Sequence, residues 1–183
     1  MSRAISLDLF RTAGVVRTIP CLSLWEPWAS LIVAGLKRHE TRHWHTKRRG
    51  LVAIHAAKKV DAAGAPDELC EFAFGAGWRR TRPVGCVVAV AELTGCYLTD
   101  HLAEGFPPLL AKVAHCDLMA GNYAPGRYGF ALDHVRPLKD PLPIVGRQGW
   151  FDWRAPADLE SRLLPEVDHA AAAARWDAWR AAA

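Results

Sequence analysis

Between residues 37 and 59 the chain gathers Lys37, Arg38, Arg42, Lys47, Arg48, Arg49, Lys58 and Lys59 against the single acid Glu40, a net charge of +7. The whole sequence carries only +4, so the remainder sums to −3. His39, His43, His45, His55 and Trp44 are interleaved with these cations. Phosphate oxygens accept charge-assisted hydrogen bonds, and every base offers a π face, so cations beside an aromatic ring suit a nucleotide. A concentrated positive patch on a near-neutral body suggests an anionic partner. A solvated basic surface is the plainer alternative, and charge alone leaves the two level.

Individual residues sharpen the chemistry. On a short strand Glu40, Arg42 and Trp44 share one face, because side chains alternate with a period of two. A carboxylate among so many cations is held ionised by its neighbours. Glu40 is therefore either a structural ion-pair partner of Arg42 or Arg49, or a general base. His43 and His45 also share a face, but no third ligand has suitable spacing, although His39 and His55 are candidates; no metal and no cofactor are expected. Trp28, on an apolar stretch, reads as core, whereas Trp44 divides evenly between core and site. Arg127-Tyr128 and Arg147-Gln148 are multi-donor pairs near Gly126, Gly129 and Gly149. Glycine there lets backbone approach a ligand, or merely serves a turn or bulge.

These residues need elements to position them. Residues 18–24 read as a first strand, and Pro27 opens a helix over 28–37 with Leu31, Ile32 and Leu36 on its buried side. Residues 39–44 read as a short polar strand, 46–50 as a basic turn, and 51–56 as a buried strand. Residues 57–76 are Ala-rich and read as a helix broken by a loop. Residues 84–93 are the clearest strand, a helix runs from Pro107 to Met119, and 128–132 are another strand. Three prolines make 135–144 an extended edge or wrapping segment. From Pro156 onward the composition indicates one or two terminal helices, with Trp176 and Trp179 packing back. The sum is an α+β chain built on a small mixed sheet or barrel with flanking helices. No Gly-rich phosphate loop is present.

Half the residues (51%) are hydrophobic, enough for a sizeable core. The cysteines, Cys21, Cys70, Cys86, Cys96 and Cys116, are odd in number and none forms a C-x-x-C pair. Buried thiols in a reducing compartment follow, rather than a disulfide framework. No window of about 18 apolar residues spans a membrane, and the N-terminus lacks the apolar run of a signal peptide. A cytoplasmic protein with no membrane partner is expected.

Three stretches, residues 22–56, 84–96 and 123–151, together resemble the ASCH family, which has the PUA-like fold. The matching residues are Pro27-Trp28-Ala29, Gly35, Lys37, Glu40-x-Arg42, Trp44-x-Thr46, Arg49-Gly50 and Ile54-His55-Ala56. They continue with Gly126-Arg127-Tyr128-Gly129, Pro141 and Gly146-Arg147-Gln148-Gly149-Trp150. The resemblance implies a tail over 1–16, a PUA-like β-barrel over 17–154 and a helical extension over 155–183. It implies a cleft between the strands and the first helix that binds RNA or a modified nucleoside or nucleotide. Trp28, Lys37, Arg42, Trp44, Thr46, Arg49, His55, Arg127, Tyr128, Arg147 and Gln148 would line it. A hydrolase is the alternative. One branch of the wider family removes the acyl group from N4-acetylcytidine with a Lys, a Thr three residues on and a later Glu. Lys37 stands at the Lys, Glu40 stands where that Thr would be, and Glu104 is the nearest later acid. Lys37, Tyr128 and the His cluster would be the reagents of ribonuclease chemistry.

Overall fold

The computed structural model describes residues 16–60, 64, 66–100 and 114–182. Six strands form one sheet: β1 (Arg17–Glu26), β2 (His39–Arg42), β3 (Gly50–Val60), β4 (Cys86–Leu98), β5 (Tyr128–Pro143) and β6 (Trp150–Ala155). Their order is β2-β5-β4-β3-β1-β6. β1 and β3 run parallel, and every other neighbouring pair is antiparallel. The helices are α1 (Trp28–Val33), α2 (Asp67–Phe74), α3 (His115–Met119), α4 (Leu159–Arg162) and α5 (His169–Ala182). This is the mixed α+β architecture expected from the sequence.

The edges, β2 and β6, share no backbone ladder. Aromatic rings close the curl instead. Trp44, just past β2, sets its edge on Phe130 of β5 at 5.0 Å and on Trp150 of β6 at 6.4 Å. Phe130 and Trp150 stack at 6.3 Å. Arg42 of β2 donates from Nη2 to the Ser23 carbonyl of β1 at 2.7 Å. The barrel is thus sealed by side chains along one seam.

Alternation within the apolar strands gives the sheet two buried faces. Leu22, Leu24, Val52, Ile54, Leu93, Phe130 and Leu132 fill the inside of the curl, while Ile19, Cys21, Ala53, Val87 and Val90 meet Trp153, Leu159 and Leu163 outside it. A third cluster joins Leu31 and Leu36 to α2, Trp78, α3 and Trp176 of α5. Trp176 is fully buried, so the terminal helix docks on the body as its composition indicated.

Several boundaries differ from the sequence reading. α1 stops at Val33, short of Lys37, because Gly35 turns the chain with φ +80°. A Cβ on Gly35 would lie 2.7 Å from Val167 Cγ1 and 2.9 Å from the Ala172 Cβ, so only glycine lets the terminal segment approach. The Ala-rich stretch after residue 56 continues β3 to Val60 before the short α2. Residues 135–143 extend β5, because past Ala131 β2 no longer flanks it and prolines there interrupt no ladder on that side. β6 gives no strand signal in the sequence, because aromatics occupy both its faces and hide the alternation. Residues 1–15, most of the expected helix from Pro107, and Glu104 lie outside the described residues.

Candidate functional site

The cationic segment begins around β2, and much of its charge there is turned inward. Lys37 is only 1% exposed. Its ammonium donates to the carbonyls of His39 and Ala120, each at 2.6 Å, and lies 3.5 Å from Glu40 Oε2. Glu40 is buried, and its other oxygen stands 2.9 Å from Arg42 Nε. Glu40 thus bridges Lys37 and Arg42, the geometry of a structural ion-pair partner. Lys37 lies in a polar stretch that reads as surface, but the nearby His39 carbonyl and the distant Ala120 carbonyl enclose it.

Asp117 on α3 anchors the start of β2 from the opposite side. Its Oδ1 accepts from the backbone N–H groups of Arg38 (3.0 Å) and His39 (3.1 Å), and Oδ2 lies 2.7 Å from His39 Nδ1. Burial pushes the Asp117 carboxyl upward, but the His39 hydrogen bond and charge, with Lys37 nearby, outweigh it and hold the group below its ordinary value. Arg38 is likewise spent, on Asp133 at 2.7 Å.

The accessible charge lies across β1, β3 and the 144–149 loop. There a cavity of about 550 Å³ is lined by Arg42, His55, Arg147 and Gln148, four of the expected residues, together with Ser23, Trp25 and Lys58. No acid among the described residues lines it. Lys58 and Arg147 enter no ion pair among the described residues. Trp25 at the rim is 44% exposed, with Lys59 Nζ 3.8 Å from its ring centroid, and Val145 on the loop is fully open to solvent on most of its surface.

Ser23 organises this cavity. Its hydroxyl lies 2.7 Å from the Arg147 carbonyl and 3.0 Å from His55 Nδ1. A carbonyl only accepts, so the single Ser23 hydrogen goes to Arg147. His55 must then donate from Nδ1 to Ser23, which leaves Nε2 as the bare acceptor. That nitrogen is buried and has no hydrogen-bond partner. Burial lowers the His55 pKa, with the backbone of Ile144 working against the shift, so the imidazole is neutral at pH 7. The loop lies directly on this ring: a Cβ on Gly146 would sit 2.0 Å from His55 Cε1.

Beyond the loop an open groove of about 720 Å³ runs beside β6, lined by Arg48, Arg147, Gln148, Trp150, Asp152 and Arg154 among others. The Arg48 guanidinium lies over the Trp150 ring at 5.2 Å. The remaining expected residues line neither cavity. Trp28 flanks the Lys37 ammonium at 5.7 Å, and Trp44 sits behind Trp150 in the seam. Thr46 is buried and Arg49 folds back onto the carbonyls of Thr46 and Arg48. Arg127 ties Asn122 to Thr41, and Tyr128 faces His45.

Ser23 and Trp25 escape the sequence reading because they interrupt an apolar strand, and Lys58 enters it only as one of the segment's cations. Only their shared outward face distinguishes them, and that depends on register. Among the described residues no three His, Cys, Asp or Glu side chains gather as a metal site, and no helix is long and apolar enough to cross a membrane. All five cysteines are free; burial pushes Cys70 to about 12 and Cys116 to about 11, so neither is a ready nucleophile.

Comparison with known proteins adds an independent view. A family model described as the ASCH domain matches residues 22–135. Activating signal cointegrator 1 of Homo sapiens and that of Mus musculus are each 35% identical to this chain over 99 residues. Those matches span 49% of this chain and 16% of each relative, so the chain covers a small part of their length. The crystal structure of ASCH from Zymomonas mobilis aligns over 80% of this chain and 96% of its own, with 18% identity and a TM-score of 0.46. A mutant of that protein aligns over 81% and 100%, with 20% identity and the same TM-score.

Proposed function

The chain belongs to the ASCH domain family, and from that premise we propose that its cationic cavity binds one nucleotide unit of an RNA. The observation that carries this reading is the cavity itself: Arg42, Lys58 and Arg147 converge on it without a lining acid. Its size lies within the range of small-ligand sites. The cations take the phosphate, and the half-exposed Trp25 ring at the rim takes the base by stacking. Binding rather than hydrolysis is favoured because the donors of Lys37 are already turned to His39, Ala120 and Glu40. On this reading Lys37 and Glu40 brace β2 and thereby position Arg42.

The test is equilibrium binding of nucleoside 5′-monophosphates and short single-stranded RNA, measured by calorimetry over a salt series. Affinity falls as salt rises, with a log–log slope of about −0.7 for each phosphate neutralised. Lys58→Ala and Arg147→Ala each weaken binding about tenfold, equivalent to about 1.4 kcal/mol. Binding that ignores salt and both substitutions contradicts the assignment.

Gly146→Ala gives a second test. The new methyl group meets a buried ring, which cannot swing aside as an exposed side chain would. The loop must lift, parting the Arg147 carbonyl from Ser23. Affinity is expected to fall at least tenfold, a loss of about 1.4 kcal/mol or more, while the unfolding midpoint changes little. Unchanged affinity in a folded Gly146→Ala protein would show that the loop does not shape the site.

A further inference from the structure

The cavity and the β6 groove are not separate features. Ile144, Val145, Arg147 and Gln148 line both, so the loop is a shared wall with a recess on each side. On β6, Trp150, Asp152 and Arg154 share one face by strand alternation, and all three line the groove. Asp152 and Arg154 are exposed. With Arg48 and Arg147, the groove carries three cations against Asp152. Arg48 lies across the face of Trp150, so a base reaching this end of the groove meets a guanidinium plane on which it can stack. From Trp150 to Arg154 the strand advances about 13 Å at its usual rise, so the cationic surface extends well past the cavity.

We propose that the ligand is a single-stranded oligoribonucleotide that seats one unit in the cavity, crosses the 144–149 loop and lays its following phosphates along Arg48 and Arg154 of the β6 groove. This inference rests on the binding reading above and specifies its ligand class. A lone nucleotide fills only the recess between β1 and β3. A duplex cannot present an unpaired base to that recess. A single strand satisfies both recesses, with Arg147 serving each.

The experiment compares a nucleoside 5′-monophosphate, an eight-nucleotide single strand, the same strand in a duplex, and polyglutamate of matched charge. These are measured against the intact chain and its Arg48→Glu and Arg154→Glu variants. The expected result is that the single strand binds at least tenfold more tightly than the monophosphate. Its salt slope is also steeper by about 1.4, the value for two further phosphates on a single strand. Each groove variant brings the single strand's affinity toward that of the monophosphate and leaves the monophosphate's unchanged. Equal affinity for monophosphate and single strand overturns the groove path while leaving the cavity reading intact. Equal affinity for polyglutamate and the single strand also overturns it, because the groove would then read charge alone. Failure of monophosphate and single strand alike removes the cavity reading and this inference with it.

Discussion

Asp117→Ala is expected to destabilise the fold by about 3–5 kcal/mol, because it leaves three donors without their acceptor at a buried junction. The donors are the backbone N–H groups of Arg38 and His39 and the His39 ring. The carboxylate also offsets the charge of Lys37, one of the largest fully buried side chains. Since these bonds fix the start of β2, the damage passes to Glu40 and Arg42. Urea denaturation checks it: the midpoint should fall sharply, and Asp117→Asn, which keeps one acceptor oxygen, should recover part of the loss. A loss below about 1 kcal/mol in Asp117→Ala, typical of surface positions, would mean the junction is not structural.

Glu26→Gln is expected to act in the opposite direction, by an amount that grows as pH rises from 4.5 to about 7. Glu26 ends β1 with no exposed surface, and accepts from Ser30 Oγ at 2.9 Å and from the Ser30 N–H at 3.4 Å. Burial raises its pKa from 4.5 to about 7, against the pull of the Ser30 hydrogen bonds and the Arg82 charge. A raised folded pKa means that the native state holds a proton which the unfolded chain has released. Its contribution is therefore complete below 4.5 and is lost as pH rises through 7. At 1.36 kcal/mol per pKa unit, the loss approaches about 3 kcal/mol. The neutral amide carries no such penalty, so Glu26→Gln should match the parent at pH 4 and exceed it at pH 8 by up to that amount. His55 has the reverse sign: its lowered pKa gives a contribution present above 6.5 and lost as pH falls below it. The parent should thus lose stability through Glu26 as pH rises from 4.5 to about 7, and only that loss should vanish in the variant. An identical decline in both proteins would show that Glu26 is not the group responsible.

Much of the sheet was legible because apolar runs such as residues 51–56 and 84–93 can be buried only by pairing. The matched dipeptides also indicated the family. Lys37 was harder to place. Its neighbours from Arg38 to Arg49 are polar, but its environment is set by the Ala120 carbonyl, 83 residues away. His55 was legible as a candidate through the resemblance to the family. Its partner Ser23 was not, because a hydroxyl in TIPCLSL looks like a tolerated polar residue until the register sets it opposite His55. The cationic segment divided in the same way. Lys37 and Arg38 support the protein itself, Arg42 does so through Glu40 while also lining the cavity, and Arg48 and Lys58 face open recesses, so sequence distance does not separate the groups.

The ring-sealed seam bears on how the molecule breathes. Parting a hydrogen-bonded ladder requires breaking several bonds together, whereas Trp44, Phe130 and Trp150 can separate by sliding. β4 lies between β3 and β5 and has no free flank, but β2 and β6 each pair on one side only. Amide protons of those two edge strands should therefore exchange with solvent through local openings of low free energy, while β4 waits for global unfolding. The β6 groove and the Arg42 wall of the cavity belong to these looser edges, so the barrel is most compliant where its cationic surface is widest.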